Sequence, residues 1–147
     1  LTALGSDALE RGDQVEARRL LVRAAELAPR NPAVLNNAAL LLSQAPDAES
    51  RKRGLELIES ALLLVPDHPE YRDTRGQVYL ALDRPAQALV DLEAVVDRVA
   101  NPAASHRAIA RAYRALGREV EAAHHEAAAQ SAPVRSRGAP WENEPEP

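Results

Sequence analysis

Residues 69–102 read PEYRDTRGQVYLALDRPAQALVDLEAVVDRVANP, and the fold is decided by how this stretch divides. Its first half places a small residue three positions before a large one, Gly76 and Tyr79. Its second half carries a small, a bulky and an apolar residue at Ala88, Leu92 and Val95. Spacings of three and four put each set on one face of a helix. Asp83-Arg84-Pro85 separates the halves and Asn101-Pro102 closes the stretch. Proline ends a hydrogen-bond ladder but is tolerated in the first turn of the next helix. The expected helices run over 70–82 and 85–99.

The same division recurs outward in both directions. The first-half pair reads Gly5/Ala8, Ala39/Leu42, Gly76/Tyr79 and Ala110/Tyr113, with steps of 34, 37 and 34. The second-half triad reads Ala17/Leu21/Ala24, Gly54/Ile58/Ala61, Ala88/Leu92/Val95 and Ala122/Glu126/Ala129, with steps of 37, 34 and 34. The two series place one three-residue insertion between Leu42 and Gly54, and the loop 45–49 is expected to absorb it. Further helices are expected over 1–11, 14–28, 32–44, from Glu49 or Ser50 to 64, 103–116 and 119–130. A period of 34 with two helical halves marks a helical solenoid.

Composition agrees. Ala and Leu dominate, Phe and Met are absent, and Trp141, Tyr71, Tyr79 and Tyr113 are the aromatics, so Ala and Leu must fill the core with helices packed closely. A net charge of −4 and a pI near 5.6 argue against binding phosphate backbones. No apolar run reaches the 18 or so residues that cross a bilayer. Without Cys there are no disulfides or thiolate metal sites, and the redox compartment stays open. Lys52 against 17 Arg reads as genome composition rather than function. The chain opens at Leu1 inside a helical pattern, which reads as a fragment of a larger polypeptide. A cytoplasmic location is favoured, with a periplasmic or membrane-tethered parent as the alternative.

These residues resemble the tetratricopeptide repeat (TPR) family over about residues 1–133, in four units near 1–31, 32–68, 69–102 and 103–132. The third unit matches best, through Gly76, Tyr79, Ala88, Leu92 and Val95; in the first, Ala8 replaces the aromatic. The resemblance implies an all-α, right-handed α-α superhelix of about four helix pairs; residues 133–147, Pro-rich and almost without aliphatics, read from composition as an extended tail. The resemblance also implies a concave groove lined by the first helices of the units, which binds peptide segments of partner proteins. On that pattern Thr2, Ser6, Leu9 and Glu10 would line the groove in unit one. Unit two would add Asn36, Asn37, Leu40 and Gln44, and unit three Glu70, Asp73, Gln77 and Leu80. Unit four would add Arg107, Arg111 and Arg114, spaced to share a helix face. A chaperone-carboxylate clamp of the kind some members carry is disfavoured: Asn37 matches, while Thr2, Ser6, Glu70 and Thr74 stand where other clamp groups belong.

Three departures stand out. Arg72 and Arg75 occupy sites where the motif has large apolar residues, and their stems are expected to cover apolar surface while their heads reach water or a carboxylate. His106 takes an early apolar site of the fourth unit. Glu126 stands where other units carry Leu21, Ile58 and Leu92; with His124 and His125 it would give a polar outer face that ends the stack. The histidines read as surface residues rather than ligands, because adjacent His124 and His125 point about 100° apart on a helix. No phosphate-cradling loop and no nucleophile set is evident, so no catalytic residue, metal or cofactor is expected.

The reading is a non-catalytic scaffold that binds a protein or peptide, acidic or extended, in its groove, without nucleic acid or membrane insertion. The alternatives are self-association into a homo-oligomer through groove or tail, and the regulatory arm of an enzyme. The tail sets Trp141 beside Glu142 and Glu144, chemically complementary to the Arg stripe; the two readings are docking into its own or a neighbour's groove, and a solvated tail with no specific contact.

Overall fold

The computed structural model describes residues 2–5 and 12–133. Ser6, Leu9 and Glu10 of the expected groove, Ala8 of the repeat motif, and Trp141, Glu142 and Glu144 of the possible docking tail lie outside the described residues. A helical stretch at 2–5 precedes seven helices: α1 (Gln14–Leu27), α2 (Pro32–Ser43), α3 (Ala48–Leu64), α4 (Pro69–Ala81), α5 (Pro85–Val95), α6 (Pro102–Ala115) and α7 (Glu119–Ser131). No strand occurs among the described residues.

Local chemistry starts these helices. Asp13, Asn31, Asp47 and Asn101 each accept a hydrogen bond from a backbone N–H three residues on, satisfying one of the free donors at a helix start. Pro32, Pro69, Pro85 and Pro102 open α2, α4, α5 and α6, where a missing N–H costs nothing. The helix expected over 85–99 stops earlier. α5 ends at Val95, and Val96 and Val99 are buried in the turns that follow. Glu70 Oε1 of α4 accepts the Ala100 N–H at 2.7 Å, which fastens those turns to the first helix of the pair.

The three-residue insertion is not taken up by a loop. Ala17, Ala88 and Ala122 lie three residues past their helix starts at 14, 85 and 119, whereas Gly54 lies six past Ala48. The insertion therefore extends the N-terminus of α3. The turns explain why. Two residues before each of the other second helices the chain is left-handed, at Gly12 (φ 75°), Asp83 (φ 58°) and Gly117 (φ 74°). The corresponding residue before α3 is Pro46, whose ring holds φ near −65° and forbids that turn. Asp47 caps a rebuilt start instead. The added turn brings Arg51, whose Nη1 donates to the Ala81 carbonyl at the end of α4 (2.9 Å) and whose Nη2 donates to the Pro46 carbonyl (2.8 Å).

The repeating small-bulky pattern is the packing. Ala17, Ile58, Ala61, Ala88, Leu92, Val95 and Ala122 have no accessible surface. A Cβ on Gly76 would stand 2.5 Å from Leu92 Cγ, so only glycine lets α4 and α5 approach this closely. One apolar cluster runs from Ala17 to Val78 and a second from Tyr79 to Ala122; they meet on α4, which contributes Tyr71 and Val78 to the first and Tyr79 and Leu80 to the second.

Candidate functional site

The first helices α2, α4 and α6 share one side of the stack. Ser43 and Gln44 at the end of α2, Gln77, Leu80 and Ala81 of α4, and Arg111 and Ala115 of α6 line an open depression of about 450 Å³. A second depression of about 350 Å³ continues it along Gln77, Ala104, Arg107 and Arg111 to Glu126. Gln77 and Arg111 belong to both, so the two form one groove across three units. Leu80 and the alanines make a partly apolar floor. Arg107 and Arg111 are exposed and have no ion-pair partner among the described residues.

Gln44, Gln77, Leu80, Arg107 and Arg111 are the sequence-predicted residues that this groove brings together. Arg114, one turn further on, donates to Glu119 Oε1 (3.1 Å) and Glu126 Oε1 (2.8 Å) of α7, so its charge is already engaged. Those two carboxylates hold its guanidinium more firmly protonated than usual. Glu126 is thus half-exposed and paired, unlike the buried Leu21, Ile58 and Leu92 at the same repeat position.

Asp73 does not face the groove. It is buried, accepts the Ser105 hydroxyl proton of α6, and accepts Gln77 Nε2 at 3.0 Å. Desolvation is the main influence and pushes its carboxyl pKa up, against the two hydrogen bonds that favour the charge. The family pattern had placed it in the groove, but the close approach of α6 covers it. Asn36, Asn37 and Leu40 lie on α2 outside the groove lining. Asn36 Nδ2 donates to Asn37 Oδ1 at 3.4 Å, while Leu40 is half-buried.

Arg72 and Arg75 reach a carboxylate, as one arm of their expectation had it, but the partner is a residue that sequence reasoning passed over. Asp91 of α5, 1% exposed, accepts from Arg72 Nε (3.1 Å), Arg75 Nε (2.6 Å) and Arg75 Nη2 (2.9 Å). Arg72 also pairs with Asp67 at 2.7 Å. The signal was present: Asp91 falls between the apolar Leu89 and Leu92, on the face that α5 buries. The surface reading of the histidines also needs correction. His125 is half-buried, with its Nδ1 2.9 Å from His106 Nδ1 and its ring 5.7 Å from that of Tyr113. Helices α6 and α7 are antiparallel neighbours, which brings two residues 19 positions apart together. The Tyr113 hydroxyl donates to Glu93 of α5.

Stacked helix pairs with small-bulky packing and an open groove on the first helices define a TPR-like helical repeat, an all-α superhelix. The chain resembles the TPR family in structure as well as in sequence pattern. It is similar to MamA from AMB-1, with 25% identity, a TM-score of 0.68, and 88% of this chain and 75% of that one covered. For MamA from MSR-1 the identity is 24%, the TM-score 0.66, and the coverage 88% and 72%. For TTC0263, a thermophilic TPR protein of Thermus thermophilus, they are 21%, 0.52, and 87% of each chain. No family model and no curated protein matches the chain.

Proposed function

We propose that this chain is a protein-interaction scaffold, without chemistry of its own, whose groove holds an extended acidic segment of a partner protein. The observation that carries the reading is the pair Arg107 and Arg111, exposed side by side over a floor containing Leu80, with no ion-pair partner among the described residues. A bidentate guanidinium–carboxylate contact is stronger and more directional than an ammonium contact. Leu80, Ala81 and Ala115 offer apolar surface for a flanking side chain. TPR-like structural neighbours support a scaffold role of this general kind. No helix among the described residues is long and apolar enough to cross a membrane.

The test is fluorescence anisotropy with labelled extended peptides carrying glutamates two residues apart, against the same peptides with glutamine. Binding of the acidic set should fall about tenfold or more in Arg107→Glu/Arg111→Glu, a loss of order 1.4 kcal/mol. Arg114→Glu should cost less, because Glu119 and Glu126 already engage that charge. Equal binding of acidic and neutral peptides, or an unchanged affinity in the double variant, would overturn the proposal.

A further inference from the structure

The groove reading, on which this inference rests, leaves open what the two arginines face when no partner is present. Neither has an ion-pair partner among the described residues, and Glu126, which lines the same depression, is paired with Arg114. The chain leaves α7 next to them: Arg107 shares a depression with Glu126, Ala129 and Gln130, the last turns before residue 133. Trp141 is eight steps along the chain from Pro133, and at about 3.3–3.6 Å per residue these can span roughly 26–29 Å. That is ample to run along α6, on which Arg107 and Ala115 are about 12 Å apart.

The sequence reached there is Trp141-Glu142-Asn143-Glu144-Pro145-Glu146-Pro147. Arg135 and Arg137 precede it, but from Trp141 onward every charge is a carboxylate. Alternation puts Glu142, Glu144 and Glu146 on one side of an extended chain, and Pro145 and Pro147 favour that extension over helix. Residues two apart on an extended strand are separated by about 6.6 Å. Arg107 and Arg111, four apart on a helix, are separated by about 6 Å. The two spacings match.

We propose that residues 141–144 occupy this chain's own groove, with Glu142 on Arg111, Glu144 on Arg107 and Trp141 against Leu80 and Ala115, so that a partner binds only by displacing them. An intramolecular occupant acts at a local concentration that a short linker sets in the millimolar range. It therefore competes without high intrinsic affinity. The arrangement also keeps an exposed cationic pair from capturing unrelated acidic segments.

Trp141 is the sole tryptophan, so intrinsic fluorescence of the full chain reports on this segment alone. The expected result is blue-shifted emission with weak acrylamide quenching, moving to the emission and quenching of free Trp-Glu-Asn-Glu-Pro-Glu peptide in Arg107→Glu/Arg111→Glu. Both arginines are exposed, and an unchanged far-ultraviolet circular dichroism spectrum would show the fold intact. Glu142→Gln/Glu144→Gln, which leaves the helices untouched, should give the same red shift. It should also tighten binding of an added acidic peptide about tenfold or more.

Free-peptide emission from the unaltered chain would overturn the proposal, as would a blue shift that either double variant leaves in place. A blue shift lost on dilution would overturn the intramolecular form in favour of a second copy's groove. Failure of the underlying reading looks different. In that case added acidic peptide binds neither the unaltered chain nor the glutamine variant, whereas if self-occupation alone fails it binds both equally.

Discussion

Gly76→Ala pits two elementary effects against each other. In a helix interior alanine is favoured over glycine by about 1 kcal/mol, so propensity alone predicts a more stable protein. The structure predicts the reverse. The new methyl would stand 2.5 Å from Leu92 Cγ, 2.8 Å from Leu92 Cδ2 and 3.3 Å from the Ala88 carbonyl oxygen. Leu92 is a fully buried member of the second apolar cluster, and close-packed interiors leave a buried side chain little room to move. Overpacking of this kind costs about 1–3 kcal/mol, or more where the backbone must move. Two contacts well inside normal separation favour the upper part of that range. After the propensity gain, a net loss of about 1–2 kcal/mol is expected, read as a lower urea midpoint by circular dichroism at 222 nm. Leu92→Ala alone should cost about 2–5 kcal/mol through its cavity. The double variant should be less damaged than the sum by about 1 kcal/mol or more, because the added methyl occupies space that the leucine vacates. A more stable Gly76→Ala, or strict additivity with Leu92→Ala, would refute the close-approach account of the repeat.

Asp91→Ala leaves Arg75, 29% exposed, without its carboxylate and Arg72, 20% exposed, with Asp67 alone; partial solvent access lowers the usual penalty, giving an expected loss of roughly 2–4 kcal/mol in urea unfolding. Arg75→Ala should cost less, since Asp91 keeps Arg72. Ser105→Ala removes one donor from buried Asp73 and should cost about 1–3 kcal/mol, with the Asp73 carboxyl, followed by NMR, titrating at still higher pH. The pH profile of thermal stability tests the histidine pair. Burial first, then His106 and His124, lower the pKa of His125 against the opposing pull of Glu93, while the Tyr113 ring lies beside it. The unfolded chain therefore binds the proton more readily. Stability should be full above the ordinary histidine value of 6.5 and decline as pH falls below it toward the lowered folded value. His125→Gln should flatten that decline, and an equal slope in both proteins would refute it.

Much of the scaffold was legible in the chain because the forces that build it are local and periodic. Prolines at helix starts and an apolar stripe repeating every three or four residues act within a few positions of one another. Four copies in phase reinforce each signal. The groove was legible in part. Gln44, Gln77, Leu80, Arg107 and Arg111 were placed there by the family pattern and line the depressions. Asp73 was misplaced because that pattern identifies a face but not whether the next helix covers it.

The sequence by itself determined the period, the helix pairs and the register of small against bulky residues, since each is set by steric and hydrogen-bonding rules that operate along the chain. Tertiary structure alone decided how the insertion was absorbed, with Pro46 barring the left-handed turn and α3 lengthening until Arg51 met the end of α4. It also chose among charges that look alike in sequence. Asp91 became the buried anchor of Arg72 and Arg75, His125 met His106, and Arg114 was neutralised by α7 while Arg107 and Arg111 were left open. Partner choice depends on which helices lie within a few ångströms, and the strength of each pairing on how far water is excluded there. Both are properties of the packed array.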